Sequence, residues 1–460
     1  MISDIAKRLW PFAAMLVMVL AAIAFRPLLP IDETRYMTVA WEMFLRRGWL
    51  EPLTVNFAPY HHKPPLLFWL INLSWSVFGV SRWAGLVPVA LSSLACVYLT
   101  GAMGKMLFGK DAEEQRVRLV MAGSFPFIIY GTLVMFDFLL CAFVLLSLIC
   151  LLRFSRGRRL RYMAAMGVCL GLGVLAKGPV AYLYVLPAAL LAPFWAAGFS
   201  RPAQWYGGIL TAVFFSALPV SFWLVPVLRA SDSEFAFWLV WNQTAGRVTG
   251  SFSASHVRPV WFYLPLVPVL FMPWLFFPSF WSGLSDVKAK IKAHEGLRFL
   301  LFWTVPVLAA FSFISGKQPH YLVPLLPGAV LFAAYCLRDL NIRTMAAAFA
   351  VLLAILTGGQ AAASQTEFRR YTLENIAAII RDQPGRDLAF VRNYHGEIGF
   401  LARRERPVDD LQMDEVGPWF EEHPHGWAII RFKDGQSEIE KYKKIVSYTY
   451  RGKNIGVFEK

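Results

Sequence analysis

Two adjacent carboxylates, Asp32 and Glu33, follow directly on the first long apolar stretch of this chain, and most later charges also fall at the ends of apolar stretches. A carboxylate can take a proton or stabilise a developing positive charge, and a lysine or arginine can neutralise an anion such as phosphate. Charge is costly in hydrocarbon, so ionisable groups that converge on span ends mark a polar substrate, unless each merely ends its helix at the interface or snorkels to it. The candidates are Asp32, Glu33, Arg35 and Tyr36, then His62 and Lys63, then Asp137 and Lys177, then His256 and Arg258, and last Lys317, His320 and Tyr321. Pro64-Pro65 directly after Lys63 fixes the backbone and removes two amide donors, which holds that cation at a rigid bend.

The elements that position these residues are apolar spans. Residues 10–29 are long enough to cross a hydrocarbon core of about 30 Å as a helix. Lys7 and Arg8 precede it, as in a signal peptide, but no small-residue cleavage site follows and further spans do, so a retained first helix is expected. Hydrophobic residues make up 57% of the chain and charged residues 16%, too apolar a mix for an ordinary soluble protein of this length. The net charge of +15 does not imply nucleic acid, because the basic residues are spread over short loops and not gathered on one domain. Cys96, Cys141, Cys150, Cys169 and Cys336 lie in apolar stretches without metal-ligand spacing and read as small core residues.

Further spans are expected at about 84–104, 117–134, 138–152, 162–176, 179–197, 206–228, 261–281, 298–314, 321–337 and 344–360, roughly eleven with the first. Alternate connections carry Lys105, Lys110, Arg153, Arg156, Arg201, Lys288, Lys290 and Arg338, which the positive-inside rule assigns to the cytoplasm. The segment 30–83, the turns at Asp137, Lys177 and Lys317, the loop 229–260 and everything after about residue 361 then face outward. Within 30–83, Tyr36, Val39, Ala40, Phe44 and Leu45 share one helical face, Trp41 and Trp49 suit an interface, and the run 66–78 is short for a span. A pair of juxtamembrane helices is expected there. Residues 361–460 change to a soluble composition with strand-like runs at 387–392, 427–432 and 445–458, and form a small α/β domain with no catalytic signature. The division is a transmembrane module, 1–360, and a tail domain, 361–460.

Five motifs in order carry a resemblance: Ile31-Asp32-Glu33-Thr34-Arg35-Tyr36, His62-Lys63-Pro64-Pro65-Leu66, Phe136-Asp137-Phe138, Ala176-Lys177-Gly178-Pro179, and the run from Ser315 to Pro327. Over residues 1–335 the chain resembles the membrane glycosyltransferases of the C superfamily (GT-C), above all bacterial aminoarabinose transferases and, beyond them, protein O-mannosyltransferases. The resemblance implies a polyprenyl-phosphate sugar donor, undecaprenyl phosphate in bacteria, and inverting transfer outside the cytoplasm. It implies a multi-pass protein of the bacterial inner membrane, with active site and tail domain facing the periplasm. The acceptor it implies is lipid A or another envelope glycan, with bulk membrane lipids around the protein and no nucleic acid partner. Transfer of mannose, galacturonic acid or glucosamine to protein or polysaccharide is the alternative. A transporter or flippase would place ionisable residues at the bilayer midplane, away from helix ends.

By the same resemblance Asp32, with Glu33 beside it, is the catalytic carboxylate. Lys63, Arg258 and Arg35 bind the donor phosphate, whose charge grows as the glycosidic bond breaks. Tyr36, Asp137, Lys177, Lys317, His320 and Tyr321 line the substrate, with Asp137 and Arg35 as an alternative structural pair beside Tyr36. No cofactor is required. Related transferases carry a metal near the positions of His62 and His256, which makes these the zinc candidates, although zinc prefers three or four ligands and His62 replaces the usual acidic residue.

Overall fold

The computed structural model describes residues 2–109, 113–241, 257–433 and 435–460. His256 lies outside the described residues. Among those described, seven helices are long and apolar enough to cross a membrane: Arg82–Phe108, Asp137–Gly157, Leu160–Lys177, Pro202–Ala230, Glu295–Phe313, Pro319–Cys336 and Ile342–Gln365. Leu9–Phe25, Leu66–Phe78, Val180–Leu190 and Val260–Leu270 are shorter apolar helices. The protein is therefore a helical polytopic membrane protein with a small C-terminal sheet domain.

Three of the eleven expected spans are not continuous helices, and proline explains most of the interruption. The stretch 117–134 breaks between Glu114–Ala122 and Phe125–Tyr130, with Pro126 opening the second piece. The stretch 179–197 ends its first helix at Leu190, three residues after Pro187. The stretch 261–281 becomes short turns, with Pro265, Pro268, Pro273 and Pro278 each removing an amide donor from the ladder.

The chain divides into two compact units. The first comprises Met1–Val19, His61–Leu67 and Leu86–Leu356, and holds most of the spans. Leu160–Lys177 packs along Pro202–Ala230 at close range. A Cβ on Gly171 would lie 2.4 Å from both Pro219 Cγ and Ser216 O, so only glycine lets these helices approach so closely.

The second unit comprises Leu20–Tyr60, Phe68–Gly85 and Thr357–Lys460. Its first helical element is the end of α1 (Ile2–Phe25), followed by α2 (Asp32–Arg46), whose inward face includes Tyr36, Met37, Val39, Ala40 and Met43. Strands β1 (Thr54–Val55) and β2 (Ala58–Pro59) follow, then α3 (Leu66–Phe78) and the start of α4 (Arg82–Phe108). The tail forms a five-stranded sheet of β3 (Leu388–Val391), β4 (Asp409–Leu411), β5 (Trp427–Phe432), β6 (Lys443–Tyr450) and β7 (Lys453–Glu459), in the order β4-β3-β5-β7-β6. β3 pairs in parallel with β4 and β5, and the β6/β7 hairpin adds antiparallel. Alternate residues of β3 and β5 bury on opposite faces, Phe390 and Ile429 with Ile376 and Ile380, Val391 and Ile430 with Trp419 and Phe420. The edge strand β6 carries Lys443 and Lys444 on an exposed run, which discourages pairing with other chains.

The tail grips α2. Thr38 Oγ1 donates to Gly396 O at 2.7 Å and accepts from Phe400 N at 2.9 Å, and Trp41 Nε1 donates to Arg404 O at 2.8 Å. A Cβ on Gly399 would fall 2.4 Å from Thr38 Cγ2, so this approach also needs glycine. Asn56 and Val408 exchange two hydrogen bonds of 2.7 Å.

Asn56 and Phe57 link β1 and β2 with φ of 55° and 59°, the left-handed pair of a tight hairpin turn, and are held there by Glu42. The Glu42 carboxylate, 2% exposed, accepts from Thr54 Oγ1 at 2.6 Å, Asn56 N at 2.6 Å and Phe57 N at 2.9 Å. Burial pushes its carboxyl above the usual range, against those three donors. Glu42→Ala, which orphans three donors, should cost about 2–4 kcal/mol, read as a lower melting temperature of the purified protein. Because the folded value is raised, the protonated form binds the fold more tightly. That contribution is full below the unfolded carboxyl value and lost as pH rises through the folded one, so Glu42→Gln should flatten the decline in stability over that window.

Candidate active site

Asp32 and Glu33 open α2, where the unpaired amides of a helix start favour negative charge. Their side chains diverge. Glu33, 3% exposed, turns inward: its Oε2 accepts from Arg26 Nη1 at 2.7 Å and from Leu29 N at 2.9 Å. Arg82 closes the same cluster, donating to Ala22 O at 3.1 Å and also to Arg26 O. Glu33, expected as a second catalytic carboxylate, thus sits in a structural pair that ties the end of α1 to the start of α2. Asp32, by contrast, is 47% exposed, and its Oδ1 accepts from Arg35 Nη2 at 2.6 Å and Tyr36 Oη at 3.1 Å. Spacings of three and four residues bring both donors over Asp32 on one helix face.

Tyr36 is buried against Phe68, with ring centroids 6.4 Å apart, and Phe68 also meets Tyr60. Burial drives the Tyr36 hydroxyl well above its ordinary value, helped by Tyr60 and the Asp32 charge, so it stays a protonated donor. Burial works against the charge on Arg35, but Tyr60, Tyr36 and Asp32 outweigh it and hold the guanidinium above its usual value.

In the first unit, Lys63 lies with its ammonium 5.8 Å from the Phe136 ring centre, next to His62, which stacks on His61 at 4.7 Å. Asp137 and Lys177 form an ion pair, with side chains 3% and 8% exposed. The carboxylate comes from the first residue of Asp137–Gly157 and the ammonium from the last of Leu160–Lys177, each at the end where the helix dipole favours its charge. Lys177 also stands 4.9 Å over the Tyr321 ring, the Tyr321 backbone carbonyl accepts from Tyr184 Oη at 2.6 Å, and His320 packs edge-on against Tyr321. Asp137 therefore has Lys177 as its cation, and Arg35 has Asp32 as its carboxylate, in place of the Asp137–Arg35 pairing expected.

Arg258 and Lys317 meet through backbone. Val257 and Gly316 form a bridge, Arg258 N donates to Ser315 O at 3.2 Å, and Lys317 Nζ donates to Arg258 O at 2.9 Å. Lys317 is 2% exposed, and that burial lowers its pKa. It braces the loop that presents the exposed Arg258 side chain, whose guanidinium lies 5.6 Å over Phe262. Among the described residues no three His, Cys, Asp or Glu side chains gather as a metal donor set, and His256, the second zinc candidate, lies outside the described residues.

The sequence reading missed Arg26 and Arg82. Arg26 stood inside what looked like an uninterrupted apolar stretch, and a lone arginine at that depth was the available signal of a buried carboxylate partner.

Residues 62–223 match the family described as dolichyl-phosphate-mannose-protein mannosyltransferase. The chain is 31% identical over 319 residues, 67% of its own length, to undecaprenyl phosphate-alpha-4-amino-4-deoxy-L-arabinose arabinosyl transferase 2 of Pseudomonas fluorescens, and 30% identical over 325 residues to the corresponding transferase of Pseudomonas aeruginosa. It spans about half the length of these relatives, 52% and 56%. Its fold is similar to that of ArnT from Cupriavidus metallidurans bound to undecaprenyl phosphate, with a TM-score of 0.75 at 19% identity, covering 98% of this chain and 97% of that one. A more distant likeness, TM-score 0.53 at 14% identity over 90% of this chain and 67% of the other, is to an Archaeoglobus fulgidus oligosaccharyltransferase. With its motifs, span pattern and fold in agreement, the chain belongs with the C-superfamily membrane glycosyltransferases of the aminoarabinose-transferase and protein-mannosyltransferase type.

Proposed function

We propose that this protein transfers a sugar, aminoarabinose or a related one, from undecaprenyl phosphate to an envelope glycolipid such as lipid A. The observation that carries the reading is Asp32, a half-exposed carboxylate at a helix start oriented by Arg35 and Tyr36, in a chain whose relatives are named for transfer from this donor. The acceptor oxygen attacks the anomeric carbon, the bond to the lipid phosphate breaks, and the phosphate leaves with the electron pair, which inverts the centre. Lys63 and Arg258 offset the charge gained by that leaving phosphate. Arg35, bonded to Asp32, positions the carboxylate, while Tyr321, with His320 beside it, contacts the sugar. A hydroxyl acceptor needs Asp32 as general base. A phosphate acceptor, with a second pKa near about 6, arrives ionised, and Asp32 then stabilises positive charge on the sugar.

The basic loops support an inner-membrane orientation with the reaction and the 361–460 domain on the periplasmic side of the 1–360 module. Protein glycosylation is the second reading, favoured by the family match over 62–223.

Mass spectrometry of lipid A from cells lacking the protein, complemented with wild type or Asp32→Asn at matched membrane abundance, separates these readings. Loss of an aminopentose, hexosamine or uronic acid mass that only wild type restores supports the proposal, and Asp32→Asn should lower transfer by about 10²–10⁴. Unchanged lipid A in every strain removes the glycolipid acceptor and leaves protein or polysaccharide glycosylation. The Asp137–Lys177 pair makes a separate claim, since two buried partners that satisfy each other are positioning groups. Asp137→Asn alone, leaving a buried ammonium, should destabilise by about 3–5 kcal/mol, and the double change with Lys177→Met should recover most of it in thermal unfolding.

A further inference from the structure

In the second unit, Arg82, Arg381 and Arg403 line a groove of about 400 Å³, with Glu374, Asn375 and Leu401 completing its wall. Three guanidiniums share the groove with one carboxylate, and Arg82 is also held by the Arg26–Glu33 cluster, which leaves Arg381 and Arg403 as the cations in excess. Glu374 is spent on Arg82, at 3.7 Å and half exposed. Arg381 donates to Leu401 O at 3.1 Å, and Arg403 to Phe400 O at 2.8 Å and Val80 O at 3.3 Å, so backbone carbonyls aim both cations without neutralising them. Arg403 is further clamped over the rings of Phe400 at 4.0 Å and Trp41 at 5.3 Å. Burial and the neighbouring charge of Arg381 push Arg403 down to about 10.

The groove's surroundings identify where that anion comes from. Arg82 is the first residue of the spanning helix α4, which places it at the level of lipid headgroups. Beside it Leu73, Val77, Phe78 and Trp83 are 55%, 67%, 52% and 44% exposed, and the Phe78 and Trp83 rings meet at 5.6 Å. An exposed apolar face ending in aromatic rings is the signature of the membrane interface. We propose that Arg82, Arg381 and Arg403 form a binding site for the phosphate of an anionic lipid headgroup. Guanidiniums take phosphate oxygens in paired hydrogen bonds, which an ammonium cannot reproduce, and the groove presents three.

Binding, not transfer, tests this site, so its failure and that of the proposed reaction are distinguishable. The full-length protein in neutral detergent is titrated with short-chain phosphatidylglycerol, phosphatidylcholine and inorganic phosphate at fixed ionic strength, read by native mass spectrometry and by melting temperature. Phosphatidylglycerol should bind more tightly than phosphatidylcholine. Arg381→Gln, at an exposed position, should weaken it about five-fold, and Glu374→Gln, which removes the competing carboxylate, should tighten it about three-fold. A mere loosening of the fold would weaken binding in both variants. Equal binding of the two lipids, or affinity unchanged in both variants, overturns the site. Inorganic phosphate binding as tightly as phosphatidylglycerol overturns the lipid source and leaves a soluble phosphate as the occupant.

Discussion

The break between α1 and α2 depends on one buried ion pair. Arg26 and Glu33 leave water together, 6% and 3% exposed, and each would be heavily penalised alone. Leu29 N and the carbonyls of Ala22 and Arg26 are drawn into the same cluster, the latter two by Arg82, so the backbone where the apolar helix stops is fixed by charge neutralisation. Fixing Glu33 inward determines the direction of its neighbour. Successive residues of a helix point about 100° apart, so the carboxylate before a buried Glu33 faces outward, where Asp32 meets the donors of the next turn. The direction of the Asp32 side chain therefore follows from the pairing of its neighbour.

The same sorting runs through the first unit. Asp137 with Lys177, and Lys317 with a backbone carbonyl, are buried groups with satisfied partners, and their burial is supportable because of those partners. Arg258 is exposed and meets an aromatic ring, which orients a cation without cancelling its charge. Burial and pairing thus separate residues of like charge, Lys317 held inside and Arg258 presented at the surface, a division that sequence position alone does not make.

Legibility followed the same physics. The spans around 84–104, 138–152, 162–176, 206–228, 298–314 and 344–360 were readable because length and apolarity suffice to specify a membrane helix. Those at 117–134, 179–197 and 261–281 were equally apolar, but hydropathy is blind to proline's missing donor, and their helices are broken. Strands β3 and β5 showed as apolar runs, and 445–458 contains the hairpin of β6 and β7 folded at Arg451-Gly452. β4, an exposed Asp-Asp-Leu, gave no strand signal because its parallel partner β3 recruits it through the backbone. Asp32 stood out as a candidate from its place at the end of a span. Glu33 was not separable from it, because its partners, Arg26 and Arg82, are supplied by other turns of the chain.

The tail contributes no catalytic group to this reading, yet it bears on the candidate site through α2. Thr38, held at both its hydroxyl hydrogen and oxygen by residues 396 and 400, lies six residues from Asp32, about 9 Å along the helix axis. Trp41 with Arg404 extends the clasp along the same helix, and the stacked rings of Trp75 and Phe400, 5.3 Å apart and nearly parallel, add a second hold through α3. Short helices are marginal in isolation, and α2 has only 15 residues with a modest apolar content, so this packing stabilises it. The fold is similar to a transferase only 19% identical to it because apolar packing tolerates exchange of side chains. Hydrogen bonds depend on particular donors and acceptors, so the clasp of the tail on α2 is more exacting than the apolar packing around it.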